Sequence, residues 1–205
     1  EFIKNSDINK YGVEVGDAKL IYLRWEDDIE QYLTLKRHLS RFKEILLDQV
    51  RRYEEDYPWF ALHRAREQGI FDSAEKILVP YRSKSNIFGY SVDKIYSSRD
   101  VFYITPKNSP LSLKYLLALL NSKLYYLWLY HRGKRKGEIL ELYQQPLSEI
   151  PVKQISATEQ HLFVALVDQI ITAKLRDPRA DTTGLEQKID QHVYKLYDLT
   201  PEEVK

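Results

Sequence analysis

The chain has 205 residues, 31 of them Lys or Arg against 30 Asp or Glu, for a net charge of +1, so a polyanion site must be a local patch and not a general basic field. Hydrophobic residues at 43% and charged residues at 30% suffice for one compact domain or one and a half, and no run reaches the roughly 18 apolar residues of a membrane span. The absence of cysteine excludes disulfides, thiolate metal sites and cysteine nucleophiles and fits a reducing cytoplasm. Methionine is also absent and the first residue is Glu1, so the chain is expected to be a fragment of a longer protein. Tyrosine outnumbers phenylalanine 16 to 7, a bias suited to surfaces that must both pack and hydrogen-bond.

Residues 1–27 read as a linker or an edge arriving from an upstream domain, with polar character to Asp17 and a short strand over Ala18 to Trp25. From Asp28 to Tyr53, Tyr32, Leu35, Leu39, Phe42, Leu46, Val50 and Tyr53 recur every three or four residues, which predicts one long amphipathic helix. Its other face is biased toward cations: Lys36, Arg37, Arg41, Lys43, Arg51 and Arg52 against Glu44 and Asp48. Pro58 ends the helix by Tyr57, and Trp59 and Phe60 are expected to fill a core gap. Arg64 and Arg66 share one side if this stretch is extended. They are suited equally to phosphate contact and to pairing with neighbouring carboxylates.

Lys76 to Val79, Ile87 to Asp93 and Val101 to Ile104 predict three short strands of an antiparallel sheet, with Arg82-Ser83-Lys84 as a basic turn beside a strand end. Leu111 to Tyr130 carries an apolar face too wide for a solvated helix and must be largely buried. It delivers His131 to Gly137, where two glycines bracket Lys134, Arg135 and Lys136 in an expected exposed loop, and Glu138 to Tyr143 then alternates as a half-buried strand. Beyond Pro146 and Pro151, helices from Thr158 to Asp177 and from Thr182 to Tyr197 form a closing hairpin. The expected fold is α+β: a small antiparallel sheet flanked by helices, with a long N-terminal helix and a C-terminal helical hairpin.

The residues show no catalytic constellation. The five histidines sit in five different elements without metal-ligand spacing, and the seven glycines are too scattered for a phosphate or cofactor loop. Glu186-Gln187-Lys188 with Asp177 or Asp181 imitates the acidic-plus-lysine site of restriction nucleases, but it falls on a strongly periodic helix and reads as a solvated face. No catalytic, metal or cofactor residue is therefore assigned. What remains is binding: Arg82, Lys84, Arg132, Lys134, Arg135 and Lys136, together with Arg64 and Arg66, form a candidate DNA-binding cluster if the two basic loops are neighbours. The same Gly-Lys-Arg-Lys-Gly stretch is also compatible with a solubilising tip or with a lipid or RNA patch.

The order of Lys76-Ile-Leu-Val-Pro80, Leu113-Lys-Tyr-Leu-Leu-Ala-Leu-Leu-Asn-Ser-Lys123, the Gly-Lys-Arg-Lys-Gly loop and Leu147-Ser-Glu-Ile-Pro-Val152 resembles the C-terminal specificity domain of TaqI-like adenine-N6 DNA methyltransferases of restriction-modification systems, including those with a fused endonuclease. The segment from Lys43 to Arg66 and the tail from Leu185 to Glu203 are similar as well. The family's catalytic Asn-Pro-Pro-aromatic motif and Gly-containing cofactor loop are missing from these residues. The resemblance therefore implies a target-recognition domain over 28–152 and a helical hairpin over 153–205, with 1–27 leading from the methyltransferase domain of the same chain. It further implies double-stranded DNA as partner, no membrane, a cytoplasmic setting, and S-adenosylmethionine as cofactor of the parent enzyme, which would flip and methylate adenine. The alternative is a protein interaction module whose long helices pack on a methyltransferase or restriction subunit.

Overall fold

The computed structural model describes residues 1–204. In chain order its elements begin with β1 (Phe2–Ile3), β2 (Ile8–Asn9), β3 (Gly12–Val13), α1 (Leu33–Ser40), α2 (Lys43–Tyr53), α3 (Gln68–Asp72), β4 (Lys76–Pro80), β5 (Arg82–Ser83) and β6 (Gly89–Ser91). They continue with β7 (Tyr96–Ser97), β8 (Val101–Ile104), α4 (Leu113–Asn121), α5 (Lys123–Arg132), β9 (Lys134–Lys136), β10 (Ile139–Glu141), α6 (Gln144–Ser148), α7 (Ala157–Arg176) and α8 (Thr183–Leu196). The chain divides into two compact units, one of residues Glu1–Ala18 with Gly69–Lys205 and one of Lys19–Gln68. The architecture is α+β, with small, mostly antiparallel sheets among helices, as the sequence pattern predicts.

In the larger unit, β6, β4 and β8 form an antiparallel sheet with β4 in the centre, so the expected three strands are present in the expected sense. All five residues of β4 are buried, because the core cluster holding Ile77 and Val79 packs on one face and a smaller cluster holding Leu78 packs on the other. The main core gathers α4, α7 and α8 through Leu117, Leu120, Val167, Ile170, Ile189 and Val193. Helix α7 starts where Ser156 and Glu159 form a reciprocal capping box and stops before Pro178, and α8 follows it as the second arm of the predicted hairpin. Residues 1–18, within the segment expected as a linker or an edge, pack into the larger unit. Ile3, Ile8 and Tyr11 are each at most 4% exposed, and β1 pairs in parallel with β7.

The organising helix is broken. A single helix over Leu111 to Tyr130 is expected, but Ser122 adopts an extended conformation and serves as C-cap of α4 and N-cap of α5. Its hydroxyl donates to the Leu119 carbonyl at 2.7 Å and accepts from the Tyr125 N–H at 3.4 Å, offering the backbone an alternative to continuing the helix. The neighbouring Asn121 carboxamide bonds both backbone groups of Phe88, and Asn86 donates to the carbonyls of Leu120 and Ser122.

In the smaller unit, the predicted 28–53 helix is a 3₁₀ turn over Ile29–Gln31 followed by α1 and α2. The break falls at Arg41 and Phe42, whose N–H groups bond three residues back to His38 and Leu39, while the Arg41 guanidinium folds over the His38 carbonyl. Ala18 to Trp25 runs without strand pairing, contrary to its β-branched and aromatic composition. Trp25 instead stacks on Tyr57 at 5.5 Å, and its indole N–H donates to the Leu62 carbonyl.

Candidate nucleic-acid interface

The expected basic loop is a strand. Lys134–Lys136 forms β9, which pairs antiparallel with β10, and β10 pairs on its other side with β5. The sheet order β5-β10-β9 therefore brings Arg82 and Ser83 into register with Lys134 and Arg135 across a central strand, joining two basic segments far apart in the sequence. Between β9 and β10 the chain reverses through Gly137 and Glu138. Gly137 has φ +62° at the first of two turn positions, where a type II′ hairpin turn places glycine. At the other end Gly133 carries the chain out of α5. Its N–H bonds the Leu129 carbonyl at 3.0 Å, and a Cβ there would stand 2.5 Å from that same oxygen.

Because side chains alternate along strands, the register sorts the cations. Arg82 and Lys134 flank Glu141 on one face, and Lys136, two residues along β9, shares it. Arg135 pairs with Leu140 on the opposite face, where Leu140 enters the main core and the Arg135 guanidinium lies 3.9 Å from the centre of the Tyr130 ring on α5. The Gly-Lys-Arg-Lys-Gly stretch is thus two outward cations and one cation turned back onto an aromatic face.

Glu141 organises the outward face. Its side chain is 8% exposed, and its Oε1 accepts from Arg82 Nε at 3.1 Å and Nη2 at 2.9 Å, while Lys134 Nζ stands 3.7 Å from Oε2. That hydrogen-bonded carboxylate raises the pKa of Arg82 above its ordinary value. Lys134 is also raised, chiefly by the Tyr143 hydroxyl, whose ring its ammonium approaches to 5.1 Å. Tyr81 and Tyr143 lie 6.1 Å apart and complete a tyrosine-and-cation surface. Lys84, Arg132 and Lys136 are exposed and have no carboxylate partner among the described residues.

Comparison with known proteins gives this sheet its context. A family model described as a TaqI-like C-terminal specificity domain matches residues 1–152. The chain belongs to that family. Two curated relatives, the Type II methyltransferases M.HincII and M.HindII of Haemophilus influenzae, are each 34% identical over 123 residues, covering 57% of this chain and 24% of their own length. This specificity domain thus spans about a quarter of the length of those relatives. A solved structure of the Type IIL restriction-modification enzyme MmeI in complex with DNA aligns with TM-score 0.64 and 15% identity over 97% of this chain and 28% of that one, a likeness of fold.

Six of the eight sequence-predicted site residues lie in the larger unit of the specificity domain, on or beside this sheet. Arg64 and Arg66 belong to the smaller unit. There Arg64 pairs with Glu55 at 2.8 Å, and Glu55 also meets His63 Nε2 at 2.9 Å, which together hold its carboxyl below the usual carboxylate range. The Arg66 carbonyl accepts from the Tyr22 hydroxyl. Sequence reasoning missed Glu141, Tyr81, Tyr143 and Asn5. The Asn5 carboxamide donates to the Arg82 carbonyl at 3.1 Å and accepts from the Arg82 N–H at 3.4 Å, standing in for a further strand on the outer edge of β5. Only Glu141 carried a signal, as a carboxylate inside an alternating run between two basic segments.

Proposed function

We propose that this specificity domain reads double-stranded DNA for an adenine-N6 methyltransferase of a restriction-modification system, through the outward face of β5-β10-β9. The observation that carries the reading is the strand register that sets Arg82 across Glu141 from Lys134, with Lys136 on the same face, on a support anchored in the core through Leu140. Cations held at a fixed place neutralise phosphates and release counterions, which provides affinity, and some of them reach base edges. Arg64 and Arg66 are assigned a phosphate role in the same complex, with Arg64 exchanging Glu55 for phosphate. In the longer protein a methyltransferase domain of the same chain binds S-adenosylmethionine in the cytoplasm, flips the target adenine and methylates it.

The test uses the full-length protein with Arg132→Glu and Lys136→Glu. Duplex DNA affinity, read by fluorescence anisotropy, falls while S-adenosylmethionine affinity, read by calorimetry, stays. Unchanged duplex affinity would remove the sheet from the interface. A second reading, a protein interaction module, draws on the smaller unit, where α1 and α2 contain no buried residue and Leu33 and Ile45 are 68% and 63% exposed. Light scattering on the full-length protein separates the two, since that reading requires a stable complex with a further subunit.

A further inference from the structure

On and beside the sheet there are two kinds of cation. Lys84, Arg132 and Lys136 project without a carboxylate partner, as a phosphate anchor should, because a nearby anion repels phosphate. Arg82 does not fit that role. Its guanidinium is bound edge-on to Glu141 through Nε and Nη2, and the triad of Arg82, Lys134 and Glu141 retains a single net positive charge for three ionised groups. That arrangement wastes field but gains orientation. Glu141 is nearly buried and fixed in a central strand, Arg82 also lies 4.8 Å over the Tyr81 ring, and the side chain remains 47% exposed. With the Nε–Nη2 edge engaged by Glu141, the adjacent edge, formed by Nη1 and the second N–H of Nη2, carries two parallel donors that the carboxylate does not use. Two parallel donors match the O6 and N7 acceptors that guanine presents in the major groove, whereas a phosphate would face the repulsion of Glu141.

We infer that Arg82 reads a guanine of the target and that Glu141 is the positioning residue that aims it. This rests on the duplex-reading function proposed above and adds to it one base and the residue that selects it. By the same division Lys84, Arg132 and Lys136 supply affinity without regard to sequence.

The experiment incubates the full-length protein with a randomised duplex pool, sequences the retained fraction, and repeats this with Arg82→Lys, Arg82→Ala and Glu141→Gln. In the unaltered protein one strictly selected position is G·C. Both Arg82 variants lower the preference at that position by about 5- to 150-fold, the discrimination one bidentate pair provides, and leave the other selected positions in place. Glu141→Gln relaxes the same position, and Arg82→Ala with Glu141→Gln is no worse than Arg82→Ala alone. Arg82→Lys keeps the charge and the Glu141 partner, so it decides the matter even if Glu141→Gln unfolds. If Arg82→Ala instead weakens binding evenly across the pool and reduces the salt slope by about one, Arg82 is a phosphate anchor and the inference is overturned. Relaxation at an A·T position, or no effect of a folded Glu141→Gln, overturns it as well. A parent protein that retains no duplex at all refutes the duplex-reading function itself.

Discussion

Replacing Lys84, Arg132 and Lys136 together by alanine isolates the sequence-independent part of the interface. None of the three has a carboxylate partner among the described residues, so their removal breaks no ion pair of the sheet. Each phosphate neutralised on duplex DNA contributes about 0.9 to the dependence of log affinity on log salt, so three such contacts contribute about 2.7. Between about 50 and about 200 mM salt, a fourfold change, that slope amounts to about 1.6 decades, or about 40-fold in affinity. The unaltered full-length protein therefore loses about 40-fold more affinity over that range than the triple variant, as followed by anisotropy with a labelled duplex. A rival explanation exists for one of these residues: β9 is the edge of its sheet, and lysines on edge strands discourage pairing with other chains. That explanation predicts aggregation of the variant with an unchanged slope. An unchanged slope in a monomeric variant would refute phosphate anchoring by this face.

Three further outcomes follow from the packing. Asn121→Ala strips the buried Phe88 N–H of its partner and leaves the Phe88 carbonyl with the Tyr11 N–H alone, and should cost about 1–3 kcal/mol in denaturant unfolding. Gly89→Ala places a Cβ 2.5 Å from the Gly12 carbonyl oxygen, a backbone atom that cannot swing aside, so a loss of about 1–3 kcal/mol with a lowered Tm is expected. His192 has its pKa lowered by burial first and by Lys195 second. The unfolded chain therefore takes up that proton more readily, and the stability this group contributes is present above the ordinary imidazole value of about 6.5 and lost as pH falls below it. His192→Gln should flatten the decline of Tm in that window, and an unaltered profile would assign the acid limb to other groups.

The helical hairpin and the strands around β4 were legible because their signals are local: a capping box at Ser156, Pro178 after the helix end, and β-branched runs between polar turns. The break at Ser122 was not, because the apolar period of Leu113 to Leu129 runs through it. What stops the helix is a serine hydroxyl and an asparagine bonded to Phe88, 33 residues away. The packing of residues 1–18 was not legible because composition averages over Ile3, Ile8 and Tyr11, which are sparse but nearly fully buried. At the candidate site, the cations were visible as residue types, but not their division between two faces. Three consecutive charges look like a loop until β10 supplies a ladder, and the partner of Glu141, Arg82, lies 59 residues away.

Base readout demands placement to a fraction of an ångström, and a sheet of such short strands does not supply that by itself. Here the placement of Arg82 comes from three directions. Leu142 donates to the Tyr81 carbonyl on the β10 side, Asn5 bonds both backbone groups of Arg82 on the other side, and Glu141 holds the guanidinium. Asn5→Ala removes one of these supports without altering any charge. It should therefore leave the salt slope of duplex binding unchanged while relaxing selection at the position that Arg82→Lys relaxes, since backbone drift of β5 misaligns the donors and leaves the number of phosphate contacts as it was. A variant that instead lowers the slope, or relaxes a different position, would mean that Asn5 supports the phosphate contacts or another reader, and that Arg82 is held well enough by Glu141 alone.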